Sequence, residues 1–224
     1  MVGIIHTPRT LYHVGQGFLK RNKDGAASAL GGIGKEHPFV STGRAGMFDT
    51  DYLMHMNNAA YLSHAEYARW ELCSYNGLMQ SMFQHKINFV VGGTAVRFRQ
   101  EIGIMRKFEV HTFLARLDER HMWLYHAFRY PPSGKDPGRI KAQVICQGIA
   151  IQGRTVVDPR IFLKDMVGVD SNLVDALSVS KPENDQDDSE DAIMGRMMDS
   201  YLDMENALKD ATAFDDDRLL NPKK

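Results

Sequence analysis

From residue 58 to residue 77 the apolar positions Tyr61, Ala65, Ala68, Leu72 and Tyr75 recur every three or four residues. That spacing gathers them on one side of a helix. Asn57 or Asn58 can cap its start, and Asn76-Gly77 is a natural stop. About 18 residues at ~1.5 Å each make a helix roughly 27 Å long, enough to cross a sheet. Farther along, the period changes to two. Val96 and Phe98 alternate with Arg97 and Arg99, and Phe108, Val110, Thr112 and Leu114 share one side of KFEVHTFLARL. HMWLYHAFRY and IKAQVICQGIAIQG continue the alternation on either side of the turn-rich PPSGKDPG. One long helix followed by a run of long antiparallel strands predicts an α+β domain over about 36–166, with the helix laid against a curved sheet.

The two ends read differently. Residues 1–35 carry Arg9, Lys20, Arg21 and Lys23 against a lone acid, Asp24, and end in the flexible run GAASALGGIG. The plain expectation is an irregular arm packed on the domain; a mitochondrial presequence is the other reading. From about 167 the chain becomes an acidic linker, KPENDQDDSED, and then an amphipathic stretch. There Ile193, Met197, Tyr201, Met204 and Leu208 fall at helical spacing, with Ser189 available as a cap. That helix is expected to dock on the domain or on a neighbouring subunit, its methionines serving as adaptable packing.

Composition narrows the classes. Of 224 residues, 43% are hydrophobic and 25% charged, as in one ordinary globular domain with polar additions. No stretch approaches the ~20 apolar residues of a membrane helix, so no integral membrane segment is expected. The net charge of −1 hides an asymmetry: from Lys181 onward 13 acids face 6 bases, while the remainder is mildly basic. A basic body suits a phosphate-bearing ligand. Nucleic acid is not expected, because no arginine-rich or aromatic-interleaved basic run appears. The two cysteines, Cys73 and Cys146, both sit in apolar patterns and read as buried thiols of a reducing compartment. His55, His64 and His85 lack the paired spacing of zinc ligands, so no metal is expected.

The densest chemistry stands just before the helix, in DTDYLMHMNNAAY. With the helix that follows, it resembles the hotdog-fold thioesterases of the 4-hydroxybenzoyl-CoA thioesterase type, whose pattern is D-x-D, a short loop, H-x-N-N, a tyrosine and E-x-A-R. The resemblance spans about 38–166, including GTAVRFRQEIGIMRKFEV. It implies a central helix wrapped by an antiparallel sheet, copies paired as a homodimer or homotetramer, and a thioester of coenzyme A or acyl carrier protein as substrate. No resident cofactor is implied, since coenzyme A enters as part of the substrate, and the setting would be lipid metabolism in the cytoplasm, or in mitochondria if the basic start is a presequence. Many relatives begin with a membrane-anchoring helix, which is not expected here.

The resemblance assigns Asp51, the second acid of D-x-D, as the catalytic carboxylate, and matches His55 and Asn57 or Asn58 to motif positions of plant-type carrier-protein thioesterases. Those enzymes carry an asparagine where this chain has Leu53. Asp51 could attack the acyl carbon directly or act as general base on water. Unpaired amides at the helix start, those of Ala59 and Ala60, would hold the oxyanion. His55 could orient Asp51 or polarise the carbonyl, or be purely structural. Asp49 reads as a loop-holding residue, Asn57, Ala59, Ala60 and Tyr61 as the substrate-facing start of the helix, and Asn58 as cap or catalyst. Glu66 could pair with Arg69 or face the pocket as a second acid. The rival is an acyl-CoA-binding or assembly protein that has lost hydrolysis, favoured by Leu53. Dehydration of a hydroxyacyl-CoA is a third reading, without the Asp-His pair it needs.

Overall fold

The stretch with the three-and-four spacing is one long helix in the computed structural model, which describes residues 2–133, 138–178 and 195–204. In chain order the elements begin with α1 (Val2–Asp24), β1 (Phe39–Arg44), α2 (Asn58–Asn76) and α3 (Leu78–His85). Strands β2 (Ile87–Phe98), β3 (Lys107–Leu117), β4 (Met122–Arg129), β5 (Ile140–Gln152) and β6 (Thr155–Val157) follow. A short α4 (Pro159–Ile161) runs into a π-helical turn, Phe162–Val167, before α5 (Ser171–Ser178). All of these lie in the first of two units, residues 1–179 and 180–224.

The strands form a curved antiparallel sheet in the order β1-β3-β4-β5-β2, with β6 paired to β5. Phe108, Val110, Thr112 and Leu114 of β3 are buried, as their alternation predicts, and the apolar ones join Tyr61, Ala65, Ala68 and Leu72 of α2 in one core cluster. The helix is bounded by its own chemistry. Asn57 accepts the Ala60 amide on its side chain at 2.9 Å, and Gly77 stops the helix at φ 87°, where an L side chain would be strained.

The N-terminal expectation needs correction. Residues 2–24, read as an irregular arm, form α1 and pack on α2. Its inward side carries His6, Arg9, His13, Gly17 and Lys20 at helical spacing, while Leu11 and Leu19 point outward, 65% and 63% exposed. Such a helix, polar inside and apolar outside, gives hydrophobic periodicity nothing to find. Nor is GAASALGGIG a loose run. Gly25–Leu30 is a 3₁₀ turn, and the following loop bonds to β3 through Leu114 N to Gly32 O (2.8 Å) and Gly34 N to Leu114 O (3.2 Å). Strand β2 starts at Ile87, earlier than the alternation at Val96 and Phe98 suggests, and carries a bulge between Val91 and Gly93.

In the second unit, residues 195–204 are helical, which covers Met197, Tyr201 and Met204 of the amphipathic stretch. Ile193, Leu208, Ser189 and the KPENDQDDSED linker lie outside the described residues. Among the described residues no helix is long and apolar enough to cross a membrane.

Candidate active site at the start of helix α2

The segment from Asp49 to Asn57 is a small hairpin that returns to its own base. Thr50 pairs with Met56, and the Asn57 amide donates to the Asp49 carbonyl at 2.8 Å. A second set of bonds fastens it to the loop ahead of β3: Met56 N to Ile102 O (2.7 Å), Ile104 N to Met54 O (2.8 Å), and a bridge between His55 and Gly103. The chain therefore delivers both acids of D-x-D to a fixed place beside the first turn of α2.

The acids have different surroundings. Asp49 is buried, with Arg9 Nη1 donating to Oδ1 at 2.6 Å and the Gly46 amide donating to Oδ2 at 3.0 Å. His64 Nε2 lies 3.4 Å from Oδ2, an electrostatic contact without a directed hydrogen bond. Burial works against the Asp49 charge, yet His64, Arg9 and the Gly46 amide outweigh it and hold the carboxyl well below the usual range. Asp49 is thus a charged anchor between α1 and α2 at neutral pH. Asp51 is half-buried. Its Oδ1 accepts the amides of Leu53 (2.9 Å) and His55 (3.3 Å), closing the turn in which Met54 sits at φ 63°. Its Oδ2 has no hydrogen-bond partner among the described residues. His55 touches Asp51 through backbone alone: its amide donates to the carboxylate and its carbonyl accepts from the Asp51 amide at 2.9 Å.

At the helix start, the Ala60 amide is taken by both the Asn57 carbonyl (3.0 Å) and the Asn57 side chain (2.9 Å), so it is not available to an oxyanion. The amides of Asn58 and Ala59 have no intrahelical acceptor and no partner among the described residues. Asn58 and Ala59 are exposed. Tyr61, expected to face substrate, is buried at 2% exposure, edge-on to Phe98 and Phe128 at 5.1 Å each. Burial pushes its hydroxyl up to about 12.

Glu66 and Arg69 do not pair with each other. Glu66 Oε1 receives His6 Nε2 and Trp70 Nε1, both at 3.3 Å. Arg69 Nη1 points under the helix to Cys146 Sγ (3.0 Å) and His126 Nε2 (3.4 Å). Burial, and then the Arg69 charge, hold His126 well below its ordinary value, so it is neutral and accepts this bond while its Nδ1 lies 2.9 Å from Thr112 Oγ1. Glu66, Arg69, Trp70 and Cys73 line one wall of a groove of ≈ 260 Å³, with Phe89 and Val91 of β2 opposite. Arg69, Cys73, Met82 and Phe89 also line an apolar cavity of ≈ 50 Å³ beneath α2. Of the residues singled out from sequence, the structure brings Asp51, His55, Asn58 and Ala59 to one loop–helix junction and sets Glu66 apart, on the groove. The Glu71 network, in which His13, Lys20 and Ser41 each approach at 2.6 Å, was missed; a glutamate inside an apolar helical pattern was its one signal.

Known proteins share this architecture. Residues 46–175, more than half of the chain, match the family model of the thioesterase-like superfamily. Among curated relatives, Protein THEM6 of Danio rerio is 32% identical over 114 residues, 51% of this chain and 54% of that protein. Protein THEM6 of Xenopus laevis is 32% identical over 94 residues, 42% of this chain and 44% of that one. The chain spans about half the length of the curated relatives it matches. Among solved structures, the YbaW probable thioesterase of Escherichia coli is 21% identical, covers 58% of this chain and 96% of its own, and gives a TM-score of 0.52. The dynemicin thioesterase is 16% identical, covers 63% and 98%, and gives 0.51. The α+β hotdog fold expected from D-x-D and H-x-N-N is therefore the observed one, and the chain belongs to the thioesterase-like superfamily.

Proposed function

We propose that the chain hydrolyses acyl thioesters, with coenzyme A or acyl carrier protein as the thiol carrier. The observation that carries this reading is the Asp51 turn: one carboxylate oxygen is held by two backbone amides, the other is unpaired, and the free Asn58 and Ala59 amides start the adjoining helix. The unpaired oxygen attacks the acyl carbon, or takes a proton from the water that does. The carbonyl oxygen gains charge as the tetrahedral intermediate forms, and the Asn58 and Ala59 amides with the positive end of α2 stabilise it. Collapse then breaks the C–S bond, releasing the thiolate. With water as nucleophile the free acid forms at once and the proton taken by Asp51 passes to the thiolate. Direct attack instead leaves a mixed anhydride on Asp51, which a water then hydrolyses to the acid. The acyl tail occupies the groove of ≈ 260 Å³ between α2 and β2, which shares Arg69, Cys73, Met82 and Phe89 with the apolar cavity, and Glu66 stands at its rim. Copies pair as a homodimer or homotetramer through the edge strand β2, where Val90, Val91 and Phe98 are exposed.

The test is release of free thiol from short, long and aromatic acyl-CoAs by wild type and Asp51→Asn, on folded protein of measured size. Turnover should fall roughly 10²–10⁴-fold in the variant. Turnover unchanged by the substitution would remove Asp51 from the chemistry. A second reading, a binding protein without hydrolysis, is favoured by the use of Asp51 to close its own turn and by its absence from the lining of either cavity. It expects no turnover, with acyl-CoA still raising Tm.

A further inference from the structure

On the far side of α2 from the acyl groove, a groove of ≈ 510 Å³ opens between α1 and the edge strand β1. Its volume falls within the roughly 300–1,000 Å³ of small-molecule sites. The lining includes Arg9, Arg44 and Lys107 and no carboxylate. Arg9 is matched by Asp49 behind it, so the uncompensated charge belongs to the other two. Arg44 and Lys107 stand directly opposite one another in the β1–β3 register, where like charges repel. Arg44 donates only to the Met105 carbonyl at 2.7 Å, and neither residue meets a carboxylate among the described residues. The nearest acid on that strand, Glu109, is engaged by His111 at 3.0 Å. His64, only 7% exposed, lines the same groove with its Nε2 lacking a directed hydrogen bond. Tyr12 on the same wall is 61% exposed, while His13 is buried, stacked on Tyr67 at 5.3 Å with an interplanar angle of 5°. The α1 wall and Arg44 lie outside residues 46–175, while His64, Tyr67 and Lys107 lie within them.

We propose that this groove binds a nucleoside phosphate, its phosphate held between Arg44 and Lys107 and its base against the exposed ring of Tyr12. Two cations facing each other across a strand pair are stabilised by an anion between them, and charge-assisted bonds to phosphate are the strong kind. The exposed Tyr12 ring beside them suits a flat heterocycle. The ligand is either a free nucleotide or the nucleotide head of coenzyme A, and in the second case the inference rests on the thioester reading.

The experiment is calorimetry on the full chain with ADP, coenzyme A and inorganic phosphate, repeated on Arg44→Glu/Lys107→Glu and on Tyr12→Ala, each checked for an unchanged Tm without ligand. ADP and coenzyme A should both bind more tightly than inorganic phosphate, weaken with salt, and lose roughly tenfold affinity for each reversed charge. Binding of coenzyme A alone, with the same losses, identifies the substrate head as the source and supports the site. Absence of binding, affinity indifferent to the charge reversals, or nucleotides no tighter than inorganic phosphate would each overturn it. Thiol release by wild type is read separately, so hydrolysis without groove binding sinks this proposal alone, and groove binding without hydrolysis sinks only the enzyme.

Discussion

Helix α2 is buried on two sides by opposite chemistry. Toward the sheet it presents Tyr61, Ala65, Ala68 and Leu72, which join Phe108 and Val110 in the apolar core. Toward α1 it presents His64, Tyr67, Glu71 and Ser74, also buried, with Asp49 just before the helix. There the partners are Arg9, His13 and Lys20, joined by pairs of 2.6 Å each. Burial of apolar area is non-directional and tolerates exchange of similar shapes. Burial of charge is stabilising only if each partner is present and placed. The sheet side should therefore resist rearrangement, while the α1 side fixes one register and fails when one partner is lost.

The largest effect is expected on the apolar side. Leu72, 1% exposed, should cost roughly 3–5 kcal/mol as Leu72→Ala, read by denaturant unfolding. Glu71→Ala should follow at about 3 kcal/mol, because it strands His13 and leaves Ser41 without its acceptor. Lys20, whose side chain is 35% exposed, regains water and softens the loss. A cost for Glu71→Ala near the ±0.5 kcal/mol of ordinary surface changes would mean the polar side holds nothing together.

The two sides should also part company with pH. Buried beneath α2, His126 is held well below its ordinary value of 6.5, so the unfolded chain binds the proton first. Its contribution is present above about pH 6.5 and is lost as pH falls below it. On the α1 side, burial opposes the Glu71 charge, but His13, Lys20 and Ser41 prevail and hold its carboxyl below the ordinary 4.5. Asp49 lies below its ordinary 3.8 for the reasons given above. Those contributions are present above about pH 4.5 and are lost as pH falls through the folded-state values. Stability against pH should thus descend in two steps. His126→Gln should flatten the upper step, and Glu71→Gln the lower; one step, or the reverse assignment, would break the comparison.

The same contrast explains what the sequence disclosed. Tyr61, Ala65, Ala68 and Leu72 are legible because apolar burial leaves a period, and Phe108, Val110 and Leu114 because a strand repeats every second residue. The loop was legible as chemistry through D-x-D and H-x-N-N, but not the division of labour within it. Which acid is anchored depends on Arg9, forty positions away, and which amide is free depends on Asn57 choosing Ala60. Helix α1 was illegible because its buried residues are the polar ones, and polar spacing alone does not separate a buried stripe from a solvated one. Only the partners on α2 make that distinction, and they come from another part of the chain.

The finest test uses two glycines, two residues apart in α1 and on different sides of it. At Gly17 a Cβ would lie 2.2 Å from the Glu71 carbonyl oxygen and 2.7 Å from Ser74 Cβ, so the helices touch backbone to backbone there. At Gly15 a Cβ would meet nothing within 4 Å. Gly17→Ala should push α1 off α2 and cost about 1–3 kcal/mol, lengthening the Arg9, His13 and Lys20 pairs together. Gly15→Ala should instead stabilise by about 0.5–1 kcal/mol, since alanine loses less backbone freedom in a helix. Opposite signs at two positions in one helix, read by thermal unfolding of the single variants, require α1 to lie on α2 by this face. Equal effects at both would mean that α1 contributes as a helix without docking through Gly17, and the polar side of α2 would need another partner.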